Sequence, residues 1–268
     1  MTKINMDGIE PEDRLLASKM LSALKNDNRL FGNPAEGLRQ TLSRLEKEQN
    51  SKEVSPLDWV VKDSELTEQI AKTKAGIKGE VDLCDYIKKL IEDNEKLDGM
   101  VVFASLSYDL GKSEELGYTP DTDILLVYGK NILIIDAKNI KTKPGQLLVF
   151  IEGGLYDADK MKLIIEFHPS THIWKKVMED HNIPLESIDG YVVIVNDVET
   201  SIVKNEDWYS CHCKPIHAAD LRGILEKWVE GKDSTLSLKM LTEISKAIIE
   251  KEKATGVDKD QMLRDLKM

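Results

Sequence analysis

Two strand-length apolar runs, held three residues apart, constrain this chain more than any other feature. They are Asp123-Ile-Leu-Leu-Val-Tyr128 and Ile132-Leu-Ile-Ile135, with Gly129-Lys130-Asn131 between them. A glycine-containing link of that length joins neighbouring antiparallel strands in a tight hairpin. Asp123 opens the first strand, while Asp136 and Lys138 lie two apart near the end of the second, which puts their side chains on one face. Pairing then brings Asp123 close to Asp136. Two carboxylates beside an ammonium oppose each other's ionisation unless they hold a cation. Oxygen donors with few His or Cys point to Mg²⁺ or Mn²⁺ rather than Zn²⁺.

Around that hairpin the texture of the sequence divides in three. Residues 1–75 read as a helical N-terminal region suited to assembly or regulation, without strand-like alternation. Leu15, Leu16, Met20, Leu21 and Leu24 recur at helical spacing, as do Leu38, Leu42 and Leu45. Pro11, Pro34 and Pro56 stand where a first helical turn tolerates proline. Residues 76–233 read as the central α/β region. A helical stripe of Ile77, Val81, Cys84, Ile87 and Ile91 precedes strands expected near 100–106, 123–128, 131–137 and 147–151. A helix at 170–182, strands at 190–196 and 208–215 and a helix at 217–230 follow. Residues 234–268 are expected as a helix at 235–253 and a charged tail.

Composition narrows the classes. With 41% apolar residues and only 3 Cys in 268, the chain is neither disordered nor a disulfide scaffold. No apolar run approaches the ~20 residues of a membrane-spanning helix. The acidic start (Asp7, Glu10, Glu12, Asp13) is unlike a secretory signal, so the expected location is cytoplasmic, with no membrane partner. The net charge of −11 argues against an unselective nucleic-acid coat but not against a nucleic-acid enzyme, because metal-binding carboxylates belong to that negative count.

Gly76-Ile-Lys-Gly79-Glu80, then Asp123 at the head of an apolar strand, then Ile135-Asp136-Ala137-Lys138-Asn139, resembles the nuclease-related domain (NERD) family of the PD-(D/E)XK nuclease superfamily. The likeness runs from about Gly76 to Asn196. It implies an α/β fold with a PD-(D/E)XK nuclease-like core of helix, three-stranded meander, helix and strand, flanked by the N-terminal helical region and C-terminal helices. It further implies a Mg²⁺ (or Mn²⁺) ion on Asp123 and Asp136, with Glu80 contributing from the preceding helix and Lys138 beside the attacking water. Asp136 stands where that family more often has Glu. His168-Pro169-Ser-Thr-His172 replaces an Asn-Pro-x-x-Gln segment, leaving His172 in the place of a glutamine used near metal or substrate. Ile124 replaces a usual His and inherits no role.

Substrate contacts are expected from Lys141 and Lys143, from Asn139 and from His172. Lysines in a loop beside a metal centre suit phosphates without base reading. The expected function is therefore a metal-dependent endonuclease, hydrolysing phosphodiester bonds in DNA or else RNA. The alternative is a nuclease-like module that binds nucleic acid or protein with cleavage weak or lost. The N-terminal helices offer a surface for self-association or a protein partner. Each site residue also has a plainer role open to it: Asp136 with Lys138 as a solvated pair, Glu80 as a first-turn acid, His172 as a cap. Cys211-His212-Cys213 with His217 lacks zinc-knuckle spacing, and Cys84 falls on an apolar helical face.

Overall fold

The computed structural model describes residues 3–50, 56–107, 121–140, 147–151, 154–166, 171–195, 201–204 and 213–249. In chain order the elements are β1 (Ile4–Asn5), α1 (Arg14–Lys25), β2 (Leu30–Gly32), α2 (Glu36–Asn50), α3 (Pro56–Glu92), β3 (Val101–Ser107), β4 (Asp121–Tyr128), β5 (Asn131–Lys138) and β6 (Leu147–Ile151). Then come β7 (Gly154–Asp157), β8 (Lys162–Glu166), α4 (Thr171–Asp180), β9 (Ser187–Ile194), β10 (Ser201–Lys204), β11 (Cys213–His217), α5 (Leu221–Val229), β12 (Leu236–Ser237) and α6 (Leu238–Ser245). The fold is mixed α/β.

Its main sheet has six strands in the order β11-β9-β5-β4-β3-β2. Strands β3, β4 and β5 form an antiparallel meander; β9 runs parallel to β5, and β11 parallel to β9. The link between β5 and β9 passes through α4, as a parallel pair requires a crossover. The central runs are apolar almost throughout because helices cover both faces. On one face Val101, Phe103, Leu125, Val127, Ile132 and Ile134 pack with Trp174 and Val177 of α4, Leu241 of α6 and Met20 of α1. On the other, Val102, Ala104, Ile124, Leu126, Leu133 and Ile135 pack with Leu83, Cys84 and Ile87 of α3 and Leu225 of α5. Cys84 is thus a core residue, and burial pushes its thiol up to about 12.

Several elements depart from the sequence reading. The N-terminal region contains two short strands: β2 adds a parallel edge to β3, and β1 pairs with β12. Neither is visible to periodicity, because two or three residues carry no alternation. Helix α3 runs unbroken through position 76, so the change of texture there falls inside one 37-residue helix. Strands β6, β7 and β8, with β10 beside β6, form a second four-stranded sheet in place of the one expected strand. Leu148 and Phe150 of that sheet bury against Val192 and Ile194 of β9. Helix α6 ends at Ser245, short of the expected 253, because the following residues turn to pair with β3: Ser107 N–H donates to Ala247 O at 2.8 Å, and Ile249 N–H to Ser105 O at 2.9 Å.

Alternation along β3 breaks at Ser105. Val101 and Phe103 face one core and Val102 and Ala104 the other, yet Leu106 rejoins the first. Ser105 has a φ of 53°, a left-handed conformation uncommon for a residue with a Cβ. Its twist presents its carbonyl to Ile249 and its hydroxyl to the N–H of Glu36, which donates at 2.9 Å.

At the closed end of the β4–β5 hairpin, Gly129 has a φ of 61°, and a Cβ there would stand 1.9 Å from the carbonyl oxygen of Asp233. Replacing Gly129 with Ala combines a left-handed backbone penalty of roughly 1–2 kcal/mol with a clash against main chain that cannot rotate away. Urea denaturation of Gly129→Ala is expected to show a loss of at least about 2 kcal/mol; a midpoint equal to that of the parent chain would refute this account of the turn.

Candidate active site

The β4–β5 ladder ends with Ile124 opposite Ile135, so Asp123 and Asp136 are the next residues at the open end of the hairpin. Asp123 turns toward β5, where its Oδ2 accepts a hydrogen bond from the N–H of Ala137 at 2.7 Å. Lys138 Nζ pairs with Asp136 Oδ1, and each of these side chains is about three-quarters covered (23% and 25% exposed). The hairpin therefore brings Asp123, Asp136 and Lys138 together, as their spacing implied.

Glu80 arrives from α3, and the two glycines before it explain how. A Cβ at Gly79 would stand 2.8 Å from Cβ of Asn139, and one at Gly76 would stand 2.9 Å from Leu38 Cδ1. Their missing side chains let α3 close onto the end of β5 on one side and onto α2 on the other. Asn139 Nδ2 donates to the carbonyl of Ala75 at 2.7 Å, clamping helix to strand. That interaction gives Asn139 a positioning role, with its amide nitrogen already engaged. Glu80 is buried and accepts a hydrogen bond from the N–H of Ala35, a residue held at a φ of 59° in the turn before α2.

Electrostatics bind these groups into one unit. Burial pushes Glu80 up to about 7, against the pull of Lys138 and with the repulsion of Asp136 and Asp121 added. Asp123 is raised well above the usual carboxylate range, first by desolvation, then by the charges of Glu80 and Asp136, with the closeness of the Asp136 carboxyl adding to the rise. Lys138 is held above its ordinary value: burial opposes its charge, but Asp136, Asp123 and Glu80 outweigh that. An ammonium so placed stays protonated through neutral pH and cannot serve as a base.

His172 stands exposed in the first turn of α4, and among the described residues no hydrogen bond or ion pair joins it to the four. The same turn is fixed by Trp174, whose Nε1 donates to Thr122 Oγ1 at 2.9 Å, one residue from Asp123. Lys141, Lys143, Cys211 and His212 lie outside the described residues; Cys213 opens β11. Among the described residues no three His, Cys, Asp or Glu side chains form a ready-made metal-holding group.

Sequence reasoning passes over Asp121, Ser105, Ala35 and the polar face of α2. Asp121 precedes Asp123 by two residues, is raised by burial against a hydrogen bond from Ser107, and lies close enough to Glu80 to repel it. Ser105 occupies the β3 position between the pairs Ala104–Ile124 and Leu106–Thr122, alongside Asp123. The strained φ of Ser105 has no signature in the amino-acid order. Comparison with family models, curated proteins and solved structures gives no match to this chain.

The Glu80 shift has a stability consequence of definite sign. Its folded value of about 7 exceeds the free value of 4.5, so the folded state binds the extra proton, and stability falls as pH rises from about 4.5 to about 7. The full shift corresponds to about 3 kcal/mol as an upper bound. In EDTA, Glu80→Gln is expected to stabilise the chain by roughly 1–3 kcal/mol at pH 8 and by close to nothing at pH 4.5. Urea titrations at the two pH values test this, and an equal effect at both would remove the desolvated acid.

Proposed function

We propose that this chain is a divalent-cation-dependent nuclease that hydrolyses phosphodiester bonds in DNA or RNA. The observation that carries the reading is the convergence of Glu80, Asp123, Asp136 and Lys138 at one end of the sheet. The order α3, then the β3–β4–β5 meander, then α4, then β9 parallel to β5, supports the resemblance to NERD and PD-(D/E)XK nucleases.

The donor set suits Mg²⁺ or Mn²⁺. All three acids are hard oxygen donors, and Mg²⁺ is commonly held by one or two carboxylates with the remaining positions taken by water and substrate phosphate. A pair of aspartates therefore suits such an ion even though no three-residue group is found among the described residues. Asp123 and Asp136 would hold the ion, and Glu80 would join them or act on its water. When bound, the ion polarises a phosphoryl oxygen and lowers the pKa of coordinated water. Lys138, kept cationic by its neighbours, donates to the attacking water or to the charge that builds on the phosphoryl oxygens. Glu80, balanced near 7, accepts a proton in the working pH range. Asn139 and Gly79 maintain the distance between helix and strand on which Glu80 depends.

A second reading has its own support. Lys138 already pairs with Asp136, and burial favours the neutral forms of Glu80 and Asp123, an arrangement that is self-consistent without a cation. In that case the unit is a nuclease-like module that binds nucleic acid or protein without turnover.

Cleavage of plasmid, linear duplex, single-stranded DNA and RNA with Mg²⁺, Mn²⁺ or EDTA separates the two. Turnover is expected only with the metals, and Asp136→Ala or Lys138→Ala should lower it at least about 100-fold. The rate should also rise with pH up to about 7, because protons on Glu80 and Asp123 compete with the cation. Activity that persists in EDTA or in Asp136→Ala defeats the metal-dependent reading, and binding without turnover under every condition selects the module.

A further inference from the structure

A groove of about 530 Å³ lies between α2 and the ends of β3 and β4. Its α2 wall presents Gln40, Thr41, Arg44 and Lys47, and its sheet wall presents Ser107 and Asp121. The helix reaches this arrangement through simple amphipathic logic. Leu42 and Leu45 turn toward Leu66 and Ile70 of α3, and Leu38 lies against Gly76, so the opposite, polar face of α2 is left overlooking the sheet. Positions 37, 40, 41, 44 and 47 follow helical spacing along that face.

We propose that this groove binds the sugar-phosphate backbone of a nucleic acid, with Arg44 and Lys47 on successive phosphates, and leads the strand to the acid cluster. The inference rests on the nuclease reading above and adds the substrate's path to it. Three observations support it. The groove adjoins the cluster, since Asp121 on its wall lies two residues before Asp123 on β4. Arg44 and Lys47 lie three residues apart on the groove face of α2, about 5 Å along the helix axis, so that two long cationic side chains reach into one groove, as contacts to neighbouring phosphates require. The wall is also fixed before any ligand arrives: Glu36, the first residue of α2, donates its N–H to Ser105 Oγ and accepts from the side chain of Asn33, while Ala35 N–H holds Glu80. The helix bearing the two cations is thus tied directly to a residue of the cluster.

The chemistry of the wall predicts how the ligand is read. Two cations and the hydroxyl and amide groups of Ser43, Thr41 and Gln40 suit phosphate and sugar, and no aromatic ring among the described residues lines the groove to stack a base. Binding should therefore depend little on sequence and strongly on salt. One acid, Asp121, opposes two cations here, so the local balance is positive within a chain of net charge −11.

Fluorescence anisotropy with labelled single-stranded DNA, duplex DNA and RNA, in EDTA to prevent turnover, tests the proposal and shows which backbone is preferred. The Arg44→Glu, Lys47→Glu pair should weaken binding at least tenfold and flatten the dependence of log K on log salt by about 1–2, close to one unit for each phosphate left without its cation. The milder Arg44→Gln, Lys47→Gln pair should move both readouts in the same direction, and it keeps the test valid should charge reversal disturb the fold. Unchanged affinity and slope in both pairs overturn the groove, as does a parent chain that binds none of the three probes. Cleavage assays separate this failure from that of the nuclease reading. Turnover by the parent chain with unaltered KM in the variants refutes the groove alone, whereas loss of binding in the variants with no turnover by the parent sustains the groove and refutes the nuclease.

Discussion

Three carboxylates share one ammonium at the open end of the β4–β5 hairpin, and the rest of the architecture can be read as what is needed to hold them there. Like charges in a desolvated space repel, and Lys138 with the N–H groups of Ala137 and Ala35 offsets only part of that cost, since Glu80 and Asp123 remain raised. What assembles it is the apolar length of the hairpin. Ile124, Leu125, Leu126 and Val127 pair with Ile135, Ile134, Leu133 and Ile132, and both faces of those pairs are covered. A slip of one residue would exchange the faces of every side chain and mismatch the packing on both sides of the sheet. The register that satisfies the core is the one that leaves Asp123 beside Asp136. The energy of apolar burial thus offsets the desolvation and repulsion of the acids gathered at the hairpin's end.

Helix α3 completes the unit under the same kind of constraint. Leu83, Cys84 and Ile87 bind it to one face of the sheet, and its N-terminal direction then carries the chain over the hairpin's open end. Whether Glu80 reaches the aspartates is decided at Gly79, where helix and strand approach too closely for a Cβ. The N-terminal region is equally part of this structure. Met20 and Ala17 enter the main core, β2 extends the sheet, and the turn before α2 supplies an N–H to Glu80. The charged end is consequently enclosed from the side of α2 as well, which accounts for the burial that raises Glu80.

How far these features are legible in the sequence follows from the range of the interactions that create them. Asp123, Asp136 and Lys138 belong to a single hairpin, so spacing alone places them together. The main strands and α4 are likewise readable within a few residues, because apolar runs bounded by Gly, Asn and Asp are local signals. Glu80 requires a resemblance, since it lies more than 40 residues before the hairpin. Ser105 is not readable at all: its left-handed twist exists because Glu36 and Ile249, from opposite ends of the chain, both bond to it. The early end of α6 has the same origin, in the pairing of Ala247 and Ile249 with β3. Strand β2 is three residues long and exists only through its pairing with Val102, Phe103 and Ala104. Asn139 shows the converse case, a residue whose position is legible but whose amide serves the clamp on Ala75.

The charge state of the cluster links this architecture to chemistry. One ammonium neutralises one carboxylate, and Lys138 is already committed to Asp136. The negative charge of Asp123 and Glu80 must then be relieved by protons or by a cation. Because burial raises both acids, the protonated state extends up to about 7 for Glu80, and on the proposed reading protons would compete there with a divalent ion. A site with ordinary carboxylates would bind such an ion with little dependence on pH, and one with a second lysine would have no need of it. Among the described residues a single lysine stands among three acids, a deficit of positive charge that, on the proposed reading, Mg²⁺ or Mn²⁺ would fill, with Arg44 and Lys47 of the proposed groove meeting the phosphates that such an ion would attract.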